Sequence, residues 1–317
     1  MGEPVAARKA MTTRKAVLLS IGAIVLIAGG WKLNKVRLEV GGIRNMLSLS
    51  YWRARINHTD LYAPNAHMLK HGNHDLHEIA ITIDDGPHPQ SCGPILDVLK
   101  REGVHATFFP VGVRMKQSPE LIRRMVAEGN EVGNHTEDHL RLTTLRPDQM
   151  EKEIKFCAQN FYKITGRQMY IMRPPGMNID ENVIKLVKSM DYIMVNWTSA
   201  AKDFISLKQT KEIAPEVIAD RVVGEADNGG IILIHDAPDT AHALPLIIDR
   251  LKAQGYKFVT ISEMMAHLPD PVHIKTNAGP YPPGYKFTPF TAAPINPPKK
   301  VAMKPATKSA TAKPIVR

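Results

Sequence analysis

Several residues able to do chemistry stand just after short apolar runs. Asp84 and Asp85 close ITIDD, and His135 and His139 lie four residues apart in NHTEDH. Arg173 precedes two prolines in YIMRPPG, Asp203 follows Trp197 in VNWTSAAKDF, and His235 ends IILIH. Histidines four apart on one helical turn are close enough to grip a single ion. The stretch HGNHDLHEIAITIDDGPH (71–88), with His67 and His58 upstream, crowds further imidazoles near the two carboxylates. That density invites a metal site, held either by these neighbours or by residues that reach the carboxylates only after folding. Taken singly, each feature has an ordinary reading. A DDG triplet is commonly an acidic turn, and a surface helix often carries an HxxxH pair without a metal. Their joint recurrence at the ends of successive apolar runs is harder to attribute to chance.

The elements that must position them alternate. Strands are expected at 78–83, 105–112, 131–135, 170–176, 192–197, 231–236 and 256–264, and helices at 93–103, 119–129, 146–166, 180–190, 210–226 and 243–255. The helix at 119–129 opens on Pro119 and stops at Gly129, as a short helix should. The one at 210–226 is expected to be helical despite Pro215. Repeated strand–helix–strand units predict parallel strands in an open α/β sheet or a (β/α) barrel. A barrel better explains why special residues follow several different strands, because barrel active sites assemble there. Adjacent strand residues point to opposite faces, so Asp84 and Asp85 can serve one site only if the strand has begun to turn.

The set TIDDG (82–86), HTEDH (135–139), RPPG (173–176), W…DF (197–204) and LIH (233–235) resembles the motif series of the polysaccharide deacetylases, the NodB-homology or carbohydrate esterase family 4 enzymes. The phrases DDGPHP, ILDVLKREGVHATFFPVG and GNEVGNHTEDH match as well, and the resemblance covers about residues 77–265. It implies a distorted (β/α) barrel of about seven parallel strands. It also implies Asp85, His135 and His139 as ligands of a divalent ion, Zn²⁺ first and Co²⁺ or another ion next. Asp84 is the implied general base, Arg173 the arginine that orients it, His235 the general acid, and Asp203 the acid's carboxylate partner. Trp197, Phe204 and Leu233 are expected to line the pocket for the acetyl methyl.

These residue types suit that chemistry. One carboxylate and two imidazoles leave coordination positions open, as a catalytic zinc site requires. An unligated carboxylate can take a proton from water, and an imidazolium held by a carboxylate can protonate a departing amine. An oxyanion would be stabilised by the ion and by a backbone N–H near Asp85 or in the turn after Pro87. The sequence also departs from the family pattern: Ile83 replaces a phenylalanine, RPPG lacks a following aromatic residue, Ala200 stands where an acid is common, and Phe204 where tryptophan is usual. The implied activity is N-deacetylation of N-acetylglucosamine in a cell-wall polysaccharide, foremost peptidoglycan, with release of acetate. Chitin, chito-oligosaccharides and O-acetylated xylan are the alternative substrates, and a weak or inactive glycan-binding relative is the rival class.

Charge and composition bound the rest. The 317-residue chain carries a formal net charge of +10, yet residues 1–44 hold +6 of it and residues 269–317 hold +7, leaving the middle at −3. With neither a basic folded part nor a reader motif, a nucleic-acid partner is not expected. Residues 16–31 are uncharged and follow a basic segment, 1–15. An uncleaved membrane anchor is favoured over a cleaved signal, with the remaining chain outside the cytoplasm, periplasmic or at the cell surface. Residues 32–76 read as a juxtamembrane linker, 77–268 as the catalytic domain, and 269–317, with 11 prolines, as an extended tail. Cys92 and Cys157 are read as packed or paired structural residues. The histidines at 67–77 are expected at the opposite mouth of the barrel from Asp85, as a surface cluster or a polar lead-in. His88 is expected on the groove rim.

Overall fold

The computed structural model describes residues 61–203, 212–272 and 277. The expected anchor at 16–31, Phe204 and nearly all of the tail lie outside them. The strand that carries the acidic pair, β3 (Glu78–Asp84), is buried along its whole length. That fits its apolar EIAITI run, because a central parallel strand is covered on both faces. It pairs in parallel with β4 (Thr107–Phe109) and with β9 (Gly230–His235), in a register that sets Asp84 beside Phe109 and His235, and Thr82 beside Leu233. Further out lie β5 (Glu131–Val132) beside β4 and β8 (Ser199–Ala200) beside β9, while β10 (Lys257–Phe258) joins the start of β3. A second sheet runs β1 (Tyr62–Ala63), β2 (Met68–Leu69), β7 (Ile193–Val195), β6 (Ile171–Met172), and a parallel bridge between Asn134 and Met172 links it to the β5 side. This is a distorted (β/α) barrel.

The helices pack outside. They are α1 (Cys92–Glu102), α2 (Gly112–Gln117), α3 (Pro119–Ala127), α4 (Pro147–Thr165), α5 (Glu181–Ser189), α6 (Pro215–Gly224), α7 (Pro238–Ala253) and α8 (Ile261–Ala266). Four of them, α3, α4, α6 and α7, have proline in the first turn, where a missing N–H costs nothing. Pro215 therefore starts α6 instead of interrupting a helix begun at 210. α7 likewise begins at Pro238, five residues before the expected start, and carries Pro245 inside it.

Three expectations need correction. The strand expected over 256–264 shrinks to β10, because Thr260 accepts from the Glu263 N–H while the Glu263 carboxylate accepts from the Thr260 N–H at 2.7 Å, a capping box that starts α8. The linker assigned to 32–76 contains folded chain from residue 61 onward: β1 and β2 form a hairpin, β2 lies parallel to β7, and Leu61 and Leu69 are buried. Two-residue strands are too short to show a period of two. The fold also extends past 268. Asn277 lies against β5, accepting from the Val132 N–H at 2.9 Å and donating to the Val132 carbonyl at 2.6 Å, so one side chain satisfies an exposed strand edge. Among the described residues no helix is long and apolar enough to cross a membrane. Cys92 and Cys157 are both buried free thiols, and burial raises both above the ordinary thiol range.

Candidate active site

The ends of β3, β5, β6, β8 and β9 converge on one mouth of the barrel. At the end of β3 the backbone turns into the left-handed region at Asp85, φ +74°. This turn lets consecutive carboxylates face one site, and such a conformation costs a non-glycine residue about 1–3 kcal/mol. Gly86 follows at a close approach: a Cβ there would lie 2.3 Å from Asp236 Oδ2. Asp84 is 4% exposed, and its Oδ1 accepts from Arg173 Nη1 at 2.7 Å. The guanidinium, 1% exposed, also donates to Thr82 Oγ1 at 2.8 Å, Val195 O at 3.0 Å and Asn196 O at 3.2 Å, and lies over the Phe109 ring. A five-donor fork anchored on β3 and β7 has little freedom, so it holds Asp84 in one orientation.

His135 and His139 reach the same carboxyl pair. His135 Nδ1 lies 2.6 Å from the Arg173 carbonyl, which turns Nε2 toward Asp85 Oδ1 at 3.3 Å and Asp84 Oδ2 at 3.9 Å. His139, itself at φ +57°, brings its Nε2 within 3.0 Å of Asp85 Oδ1. One donor atom from each of Asp85, His135 and His139 lies within 4.8 Å of the others, and Asp85 Oδ1 is buried with no aligned hydrogen-bond donor. A ring nitrogen held by a backbone carbonyl, with the other aimed at a gap lined by imidazole and carboxylate, fits a divalent ion. Burial raises the Asp85 carboxyl, but the two imidazoles outweigh it and hold it far below the usual carboxylate range.

On the adjoining strand β9, His235 Nδ1 is 2.7 Å from Asp203 Oδ1. Asp203 is fully buried, and its Oδ2 accepts from the His235 N–H at 2.6 Å and from Thr240 Oγ1 at 2.6 Å. Burial pushes the His235 imidazole down, but Asp203, then Asp84 and Asp85, outweigh it and raise the ring to about 8. A general acid must be protonated, so a ring used in that role would serve below that value and fail as pH rises through it. In the metal-free protein an NMR titration of the His235 ring should find a midpoint near 8. Bound cation charge would lower it, placing the alkaline limb of the rate at or below that pH. Asp203→Asn should move both midpoints down.

Leu233 is buried on β9 two residues before His235, and so on the same face, while Trp197 lies near the Arg173 guanidinium at 5.7 Å. The expected oxyanion donors are engaged elsewhere: the Asp85 N–H bonds to Phe109 O and the His88 N–H to Asp236 Oδ2. Three residues at this mouth escaped sequence reasoning. Thr82 shares the Arg173 guanidinium with Asp84, and Asp236 braces the turn through His88 N and Ser91 Oγ. Arg114 donates to the Asp85 carbonyl and meets His88 Nε2 at 2.9 Å. Thr82 sits inside the quoted TIDDG and Asp236 directly follows LIH, where a signal was available, but Arg114 lies on α2, an element without a clear period.

Residues 71–195 match the family described as polysaccharide deacetylase. A peptidoglycan-N-acetylglucosamine deacetylase of Bacillus cereus is 34% identical over 195 residues, covering 60% of this chain and 88% of that protein. The chain belongs to the polysaccharide deacetylase family. The peptidoglycan-N-acetylmuramic acid deacetylase PdaC of Bacillus subtilis is 40% identical over 187 residues, or 59% of this chain and 38% of PdaC. The crystal structure of the peptidoglycan N-acetylglucosamine deacetylase Bc1960 superposes with a TM-score of 0.58 at 30% identity, covering 61% of this chain and 90% of that one. The chain is a hydrolase acting on amide bonds.

Proposed function

We propose that this deacetylase removes acetyl groups from the amino sugars of peptidoglycan outside the cytoplasm, releasing acetate. The carrying observation is geometric: a carboxylate fixed by Arg173 and an imidazole raised by Asp203 flank the Asp85–His135–His139 group at one mouth. Relatives named for peptidoglycan substrates support the choice of polymer. Asp85, His135 and His139 would hold the ion, with Zn²⁺ the best match for two imidazoles and one carboxylate. Such an ion polarises a carbonyl and makes water a better nucleophile. Asp84, pinned through Oδ1, keeps Oδ2 available to accept the proton that water loses. Protonated His235 gives its Nε2 proton to the departing amine, and Asp203 stabilises the charged ring before the transfer. Leu233 and Trp197 line the place for the acetyl methyl, and residues 16–31 anchor the enzyme in the membrane.

PdaC is named for N-acetylmuramic acid, so that sugar is a second candidate target here, and the assay should separate the two sugars. Acetate release by the full chain is measured on peptidoglycan, chito-oligosaccharides and acetylxylan, and the deacetylated sugar is identified by mass spectrometry. Release from peptidoglycan above the other two is expected. Activity confined to acetylxylan would overturn the substrate, and no release from any of them with metal present would favour glycan binding without chemistry. Chelation should abolish release, and Zn²⁺ or Co²⁺ should restore it.

A further inference from the structure

At the other end of the same strands, one histidine of the lead-in is drawn inside, while His77 stays exposed. His71 is largely buried, and its Nε2 lies 2.8 Å from Oδ2 of Asp227, a residue in the loop before β9. Its Nδ1 lies 2.8 Å from the Gly72 carbonyl. With a ring N–H donated to that carbonyl, the other nitrogen is directed at the carboxylate, the orientation that carbonyl-braced metal ligands adopt. The His74 ring packs against His71 at 4.0 Å between centroids and tilted by 42°. One donor atom from each of His71, His74 and Asp227 lies within 4.8 Å of the other two.

A second observation concerns the other oxygen of Asp227, which His71 does not reach. Asp227 is only 9% exposed, and its Oδ1 is buried without a hydrogen bond. An unsatisfied carboxylate oxygen away from water is costly unless a positive charge answers it. The backbone around the group is closely fitted. Gly72 N donates to Gly229 O at 2.8 Å, and a Cβ on Gly229, at φ +77°, would come within 2.6 Å of the Gly72 carbonyl carbon. A Cβ on Gly230 would lie 2.7 Å from Asp227 Oδ1. The other lead-in histidines do not join. His77 contacts Asn228 Oδ1 and Gln254 O and stacks on Tyr256, and His67 bonds to Tyr192 O.

We propose that His71, His74 and Asp227 form a second divalent-cation site, of Zn²⁺ type, that staples the lead-in segment to the loop before β9. Two imidazoles and a carboxylate suit zinc, with water completing the shell. The site serves as a brace and not in catalysis: residues 79–84 of β3 separate its end of the barrel from Asp85, roughly 20 Å of extended chain. It fastens residues 71–74 beside the starts of β3 and β9, where Gly229 N donates to Glu78 O.

The test is zinc stoichiometry on the metal-stripped full chain, by isothermal titration and elemental analysis, with thermal unfolding alongside. Wild type should bind two equivalents, and His74→Gln one fewer. His74 is replaced because it is the more exposed of the two imidazoles; far-UV circular dichroism of the variant should match wild type, and acetate release at saturating zinc should stay within about twofold of it. His139→Ala should lose the other equivalent and its activity, yet its melting midpoint should still rise with zinc by about 5–10 °C. That rise should vanish in the His74→Gln/His139→Ala double variant. Equal stoichiometry in wild type and His74→Gln overturns the second site, as does a zinc-insensitive midpoint in His139→Ala. Neither result depends on the substrate being peptidoglycan.

Discussion

Exchange of Asp84 for asparagine is expected to lower acetate release by about 10²–10⁴-fold, the usual contribution of a positioned proton acceptor. The amide matches the carboxylate in shape but cannot take a proton from water. It should leave the protein folded, because Arg173 keeps its bonds to Thr82 Oγ1, Val195 O and Asn196 O. Bound zinc should stay at the wild-type level, since Asp85, His135 and His139 supply the converging donor atoms. Acetate release under saturating substrate and metal analysis of the same preparation check both statements. An unchanged rate would sink the base assignment, and a rate lost together with the metal would make Asp84 a ligand.

Arg173→Met is expected to have the largest effect on stability, about 3–5 kcal/mol in urea unfolding, because it leaves a buried carboxylate without its counter-charge. Asp84 has little solvent to fall back on, and the Val195 and Asn196 carbonyls lose their donor as well. Burial lowers the Arg173 pKa, and the adjoining Asp84 carboxylate opposes that shift without cancelling it. Activity should fall with stability, since Asp84 loses its fixed orientation. The double variant Asp84→Asn/Arg173→Met should recover part of the lost stability, as no uncompensated charge remains. A loss equal to the sum of the two single variants would mean that the ion pair is not what stabilises this mouth.

The alternation of strands and helices was legible because its elements are long enough to carry a period: β3, β9, α1 and α4 lie close to where the apolar runs place them. Prolines at helix starts and the TISE capping box were also written in the chain, although Pro215 and Thr260 are understood only once their helices are seen to begin there. The hairpin at 62–69 and the docking of Asn277 were not legible, because two-residue strands and one side-chain amide have no period.

By itself the sequence determined which residue types gather at the strand ends, and motif spacing singled out Asp84, Asp85, His135, His139, Arg173, Asp203 and His235. Tertiary structure alone decided which of them touch. Asp84 and Asp85 face one site because the backbone reverses at Asp85, and Arg173 meets Asp84 across 89 residues of chain. It also divided the histidines of the opening stretch, drawing His71 and His74 to Asp227 at one end while Asp85 received His135 and His139 at the other. Such pairings depend on the parallel register of β3 with β9 and on the direction in which each strand runs. A local pattern encodes which face a side chain takes, but long-range pairing sets the partner it meets.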